Sequence, residues 1–305
     1  MSILVHPFQE ALVKWLKKTW EAKKGPNHCA HPGCNCSAEL VQKTRIFSKG
    51  VMIMNSNIKH YPIHVSSLNV QLEGDLTIPK DASAVILFAH GSGSSRHSSR
   101  NKFVASELNK SGFATLLLDL LTAEEERAEQ DTHDVRFNII LLAERLSAAV
   151  DWLSMHELTR NLAIGCFGAS TGSAAALVCA AERKSRISAV VSRGGRPNLA
   201  GDILQNVVCP TLLIVGDLDQ EVLQLNNLAL HNMQCFKALE VVSGASHLFE
   251  EPGKLEQVAI LALRWFERFC FRSPQPALKP YEMVDGMSPS LIEPLNDDLM
   301  LEGAL

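Results

Sequence analysis

Gly168-Ala169-Ser170-Thr171-Gly172 lies between a short apolar run, Leu162-Ala163-Ile164-Gly165-Cys166-Phe167, and an alanine-rich run over 173–182. The first run is bounded by polar residues and suits a buried parallel strand. The second is rich in the best helix former. A G-x-S-x-G pentapeptide at such a junction has the form of a nucleophile elbow, a sharp strand-to-helix turn that exposes a serine hydroxyl above a sheet. Gly168 and Gly172 leave room for the turn and for close helix packing. The helix that follows aims its free N–H groups at any negative charge formed there.

Strand and helix signals alternate on both sides of this stretch. Upstream, Val65, Leu68, Val70 and Leu72, then Leu76-Thr77-Ile78, suggest two antiparallel strands with a turn near Glu73-Gly74-Asp75. A buried strand over 82–89 runs into His90-Gly91-Ser92-Gly93-Ser94, and a helix is expected over 101–110 and a strand over 113–119. An acidic loop, 122–134, leads to a long helix over 135–155 with Ile139, Leu142, Leu146, Val150 and Leu153 at helical spacing. Downstream, strands are expected over 187–191, 210–215 and 239–242, and helices over 222–233 and 255–269. This alternation predicts an α/β fold: a mainly parallel sheet with helices on both faces. The expected organisation is an N-terminal extension over 1–60, one α/β domain over 61–272 and a C-terminal tail over 273–305. Pro and acidic residues accumulate in the tail without periodicity, as in disordered segments.

A serine hydroxyl needs a base, and the base needs an orienting carboxylate. In an elbow architecture the chain order is serine, acid, histidine. Ser170, Asp219 and His247 satisfy that order, each beyond the carboxyl end of an expected strand, where open α/β sheets bind ligands. Asp217 competes for the acid role, but Asp219 fits the loop length needed to reach the histidine. The plain readings are a helix cap for Asp219 and a loop histidine for His247. Oxyanion stabilisation needs two preorganised N–H donors. The Thr171 amide supplies one, and the loop after the 82–89 strand the other, with Ser92 first and Gly93 second. His90 reads as a structural histidine at a strand end. Arg193 and Arg196, in Ser192-Arg193-Gly194-Gly195-Arg196-Pro197, either clamp a substrate carboxylate or phosphate or pair with surface acids.

Together, His90-Gly91-Ser92-Gly93-Ser94, the elbow, Asp219 and His247 resemble an α/β-hydrolase of the dienelactone hydrolase-like branch, over roughly residues 65–271. The stretches Phe167 to Gly172 and Ser192 to Pro197 are similar to those of uncharacterised bacterial members of that branch. The resemblance implies the α/β-hydrolase fold and hydrolysis of an ester or lactone through a covalent ester intermediate, with no cofactor. Dienelactone hydrolases use a cysteine nucleophile where this chain has Ser170, so the resemblance implies ester chemistry and leaves the lactone open. A peptidase or acyltransferase would share every catalytic residue. An inactive hydrolase fold acting as a binding module is the non-enzymatic alternative, and the complete triad argues against it.

Composition fits this reading. The chain has 305 residues, 46% hydrophobic and 20% charged, enough for one large domain with extensions. A net charge of −4 gives no reason to expect a nucleic-acid partner. No apolar run approaches a membrane-spanning length of ~18 residues. The N-terminus lacks the charged start and apolar core of a signal peptide. Its basic amphipathic stretch, 11–24, would suit a transit peptide, but Glu10 before it and Glu21 within it count against one. A homodimer through this helix is left open. Five cysteines, Cys166, Cys179, Cys209, Cys235 and Cys270, read as reduced thiols of a cytoplasmic protein. Cys29, Cys34 and Cys36 cluster with His28 and His31 without paired zinc-ligand spacing, so the segment reads as a linker with no metal expected, a metal knuckle being the alternative.

Overall fold

The computed structural model describes residues 58–132 and 137–270. The expected N-terminal helix, the Cys/His cluster, the first residues of the long helix and the C-terminal tail lie outside the described residues. Eight strands form one sheet in the order β1-β2-β4-β3-β5-β6-β7-β8. They are β1 (Lys59–Ser67), β2 (Val70–Ile78), β3 (Ala84–Ala89), β4 (Ala114–Leu118), β5 (Ala163–Ala169), β6 (Ile187–Arg193), β7 (Thr211–Gly216) and β8 (Lys237–Val242). β1 and β2 pair antiparallel, β2 meets β4 antiparallel, and every pairing from β4 to β8 is parallel. The helices are α1 (Ser99–Lys110), α2 (Ala123–Thr132), α3 (Ile139–Met155), α4 (Thr171–Glu182), α5 (Gln220–Asn232) and α6 (Lys254–Cys270). A 3-10 segment covers Pro197–Asn206. Among the described residues, no helix is long and apolar enough to cross a membrane.

The apolar runs behave as strands buried on both faces. In β3, Val85, Leu87 and Ala89 join one core with α3 and α4, while Ala84, Ile86 and Phe88 join a second core with α1 and α6. Residues 171–181 of α4 are buried without a break. Its alanines keep the helix slim enough to sit in the middle of the first core.

Two expectations are corrected. The turn between the first two strands falls at Leu68 and Asn69, with Leu68 at a φ of 52°, and Gly74 lies inside β2 opposite Ile63 and Leu118. A Cβ on Gly74 would come within 3.0 Å of Ile63 Cδ1 and Leu116 Cδ1, so this glycine serves a close side-chain approach and not a turn. The acidic segment after β4 is helical over Ala123–Thr132. Thr122 and Glu125 form a capping box: the Glu125 N–H donates to Thr122 Oγ1 at 3.2 Å, and the Thr122 N–H donates to Glu125 Oε2 at 2.8 Å. Glu124, Glu125 and Glu126 sit in the first turn, where the helix dipole favours them. At the start of α3, Asn138 accepts the Leu141 N–H at 3.1 Å.

Glu125 also carries the ion pair that docks α2 on α3. Arg145, 2% exposed, donates to both Glu125 carboxylate oxygens at 2.7 and 2.5 Å and to the Leu120 carbonyl at 2.6 Å. Burial raises the Glu125 carboxyl, but the hydrogen bonds from Arg145 and Thr122 outweigh it and hold it below the ordinary glutamate value. A depressed carboxylate stabilises the fold above its unfolded-state value and loses that contribution as pH falls through the native value. Glu125→Gln leaves Arg145 buried without its counter-charge and is expected to cost about 3 kcal/mol at pH 7. In urea melts from pH 7 to pH 3, the gap between wild type and variant should narrow below about pH 4.5. A gap constant with pH would show that the pair contributes nothing.

Candidate active site

Ser170 stands at the end of β5 with φ 51° and ψ −120°, a left-handed conformation that strains a non-glycine residue. Its neighbours make this geometry attainable. A Cβ on Gly172 would lie 2.4 Å from the carbonyl oxygens of both Ala89 and His90, and one on Gly168 would lie 2.5 Å from Ser173 Cα. Backbone bonds pin the turn to the end of β6 and the loop after it: the Ser170 N–H donates to the Arg193 carbonyl at 3.2 Å, and the Ser170 carbonyl accepts the Arg196 N–H at 3.1 Å. Thr171 and Gly172 open α4, whose first amides have no partner within the helix.

Asp219 and His247 come together although they are 28 residues apart. His247 Nδ1 lies 2.6 Å from Asp219 Oδ2, with the carboxylate side chain 15% exposed and the imidazole 37% exposed. The loops after β7 and β8 are clasped to hold this contact. The Asp217 N–H donates to the Val242 carbonyl, and the Leu218 N–H donates to the Ala245 carbonyl, each at 3.1 Å. The rival acid, Asp217, is occupied within this clasp and accepts the Gly244 N–H at 2.6 Å. Among the described residues, Ser170 Oγ has no hydrogen-bond partner, so the serine and the His247 ring are not joined in this state.

The loop after β3 is fixed from beneath. His90 is 5% exposed; its Nδ1 donates to the Gly91 carbonyl at 2.9 Å and its Nε2 accepts the Leu120 N–H at 2.9 Å. Burial lowers its pKa, the Gly91 bond opposing, and the neutral tautomer is the one this bonding pattern needs. Arg96 holds the far end of the loop, binding Glu73 at 2.6 Å and both backbone and side chain to Asp119. The Ser92 amide, expected as an open oxyanion donor, is engaged: it donates to Thr171 Oγ1 at 2.8 Å. The pentapeptide carries no signal for this contact, because its two partners are 79 residues apart.

The two arginines divide. Arg196 lies at the surface and pairs with Glu221 at 3.3 Å. Arg193 is 5% exposed, its guanidinium 3.5 Å from Asn101 Oδ1 and 5.9 Å from the Phe249 ring centroid. Burial, reinforced by Arg100, pushes its pKa down to about 10, which leaves it charged at neutral pH. It therefore lies beneath the His247 loop, whose Phe249 is buried at a φ of 58°. Of the two readings, Arg196 follows the surface ion pair, while Arg193 follows neither and is interior. A cleft of about 440 Å³ opens at the loop after β3, walled by Ser92, Gly93, Leu120, Leu121, Glu126 and Arg127 among others.

A family model described as the dienelactone hydrolase family matches residues 72–269. The chain belongs to the dienelactone hydrolase family. Solved structures share its fold. A dienelactone hydrolase from Anabaena variabilis is 52% identical, with a TM-score of 0.69 over 70% of this chain and 99% of that one. Est1E from Butyrivibrio proteoclasticus, 15% identical with a TM-score of 0.58 over 68% of this chain and 98% of that one, shares the fold alone. Two curated relatives, from two strains of Mycobacterium tuberculosis, carry the name "Putative phosphoribosyl transferase"; each is 54% identical over 206 residues, 67% of this chain and 46% of the relative. The chain thus spans about half the length of the curated relatives it matches.

The elbow geometry predicts the outcome of adding one methyl group. Gly172→Ala puts carbon against two backbone oxygens that cannot move without disturbing β3, and is expected to destabilise the fold by about 3 kcal/mol or more. A thermal melt that leaves the variant within about 1 °C of wild type would show that the turn relaxes.

Proposed function

We propose that this chain is a serine hydrolase that cleaves a small carboxylic ester or lactone through an acyl-enzyme on Ser170. The observation that carries this reading is the 2.6 Å Asp219–His247 bond on the same sheet edge as a serine strained into an elbow. Ser170 Oγ adds to the carbonyl carbon while His247 Nε2 takes its proton. Asp219 accepts the Nδ1–H, holds the tautomer and stabilises the imidazolium. The C–O bond to the alcohol breaks as His247 returns the proton to the leaving oxygen. Water, deprotonated by His247, then adds to the acyl carbon, and the acyl C–Oγ bond breaks as His247 returns that proton to Ser170. The Thr171 amide, at the positive end of α4, serves the oxyanion.

The chain between Thr171 and Asp217 is used up by α4, β6, the 3-10 segment and β7, leaving no large lid there, which supports a rather open site. Attack and release occur at this chain's own side chains, so the reaction needs no cofactor. Buried free thiols at Cys166, Cys179, Cys209 and Cys270 support a reducing, cytoplasmic setting. Phosphoribosyl transfer, named for relatives of whose length the match covers 46%, finds no support in these groups, which are those of acyl chemistry.

Labelling with a fluorophosphonate, followed by mass mapping, tests the reading. The adduct should fall on Ser170 and vanish in Ser170→Ala. Asp219→Asn should lower kcat on p-nitrophenyl acetate by roughly 10⁴-fold, because it leaves the imidazole in the wrong tautomer. Folded wild-type protein that takes no adduct would sink the acyl-enzyme mechanism.

A further inference from the structure

The Thr171 side chain has a place in the site that its backbone role does not explain. Its Oγ1 accepts the Ser92 N–H at 2.8 Å, and the residue is 2% exposed. A hydroxyl carries one proton to donate and two lone pairs to accept with. Ser92 uses a lone pair. Among the described residues the proton has no acceptor, so a buried donor beside the nucleophile is left unpaired. The contact also removes the Ser92 amide from the pool of open donors, since its hydrogen already points at an oxygen.

We propose that the Thr171 hydroxyl is the second oxyanion donor, held from behind by the Ser92 amide. This rests on the hydrolase reading above. Thr171 then serves the oxyanion twice, through its backbone N–H and through Oγ1–H, and Ser92 acts as a positioning residue. Accepting from Ser92 polarises the hydroxyl and makes it a better donor. No proton is transferred; the O–H turns about the Cβ–Oγ1 bond until it meets the negative oxygen. The loop after β3 can hold its partner in register because His90 and Arg96 fix it at both ends. The proton is unpaired in the resting site and paired only when negative charge develops. Such an interaction raises kcat and leaves ground-state binding alone.

Thr171→Val keeps the shape and the backbone N–H and removes the hydroxyl; Thr171→Ser restores the hydroxyl. With p-nitrophenyl acetate, kcat of Thr171→Val should fall about 100-fold, with KM within about twofold, and Thr171→Ser should stay within about threefold of wild type. Fluorophosphonate labelling of Ser170 should slow in parallel. Should the valine variant fail to fold, Thr171→Cys, a weak donor of similar shape, should show a fall of about tenfold. A valine or cysteine variant with wild-type kcat overturns the proposal, as does a serine variant as slow as valine. A valine variant faster than wild type overturns it too, by showing that the hydroxyl blocks the Ser92 amide. Wild-type protein that is neither labelled nor active removes the hydrolase reading and this proposal with it; labelled wild type beside a fully active valine variant removes this proposal alone.

Discussion

The left-handed backbone at Ser170 is the constraint on which the rest of this structure depends. A serine at φ 51° is unfavourable by about 1–3 kcal/mol, and it persists only because its surroundings leave no alternative. Those surroundings are specific. The carbonyls of Ala89 and His90 approach the backbone of Gly172, β6 and the loop after it hold the amide and the carbonyl of Ser170, and eleven successive residues of α4 are buried in the core. Relaxing the turn would mean lifting α4 out of that core. The strain is therefore balanced by packing that extends far from the serine.

The other parts of the site are loops at the same sheet edge, and each is tied down by a buried polar group. His90 spans from the loop after β3 to the Leu120 amide. Asp217 spans from the β7 loop to the Gly244 amide, which leaves Asp219 free for His247. Arg193 lies under the His247 loop against Asn101 and Phe249, without a carboxylate partner among the described residues. Its buried charge explains why two arginines three residues apart in sequence have different fates: the strand end turns one inward, while the loop leaves the other at the surface beside Glu221.

Much of the fold was legible because buried parallel strands advertise themselves as short continuous apolar runs, and β3, β5, β6 and β7 do so. The elbow and the Asp219–His247 pair were legible because chain order and strand ends restrict the choices to a few residues. Gly74 misled because a glycine between two acids looks like a turn, whereas Ile63 and Leu116 decide its use across the sheet. The capping box at Thr122 and Glu125 was present in the sequence, and weighting the run of glutamates as a solvated loop hid it. The inward course of Arg193 and the Ser92–Thr171 bond could not be read at all, since both depend on which strands lie side by side.

That last contact shows why a motif underdetermines a site. The pentapeptide places an amide at Thr171, and the loop after β3 places another at Ser92, but whether both point at one spot depends on a side chain between them. Valine at position 171 would leave the strand, the turn and the helix intact, yet it would take from the Ser92 amide the oxygen it now donates to. Preorganisation in this site is thus a property of a pair of residues held by two different loops. It rests on the same sheet pairing, β3 beside β5, that brings Ala89 and His90 against Gly172. The constraint that strains the serine and the contact that orients the donors have one origin.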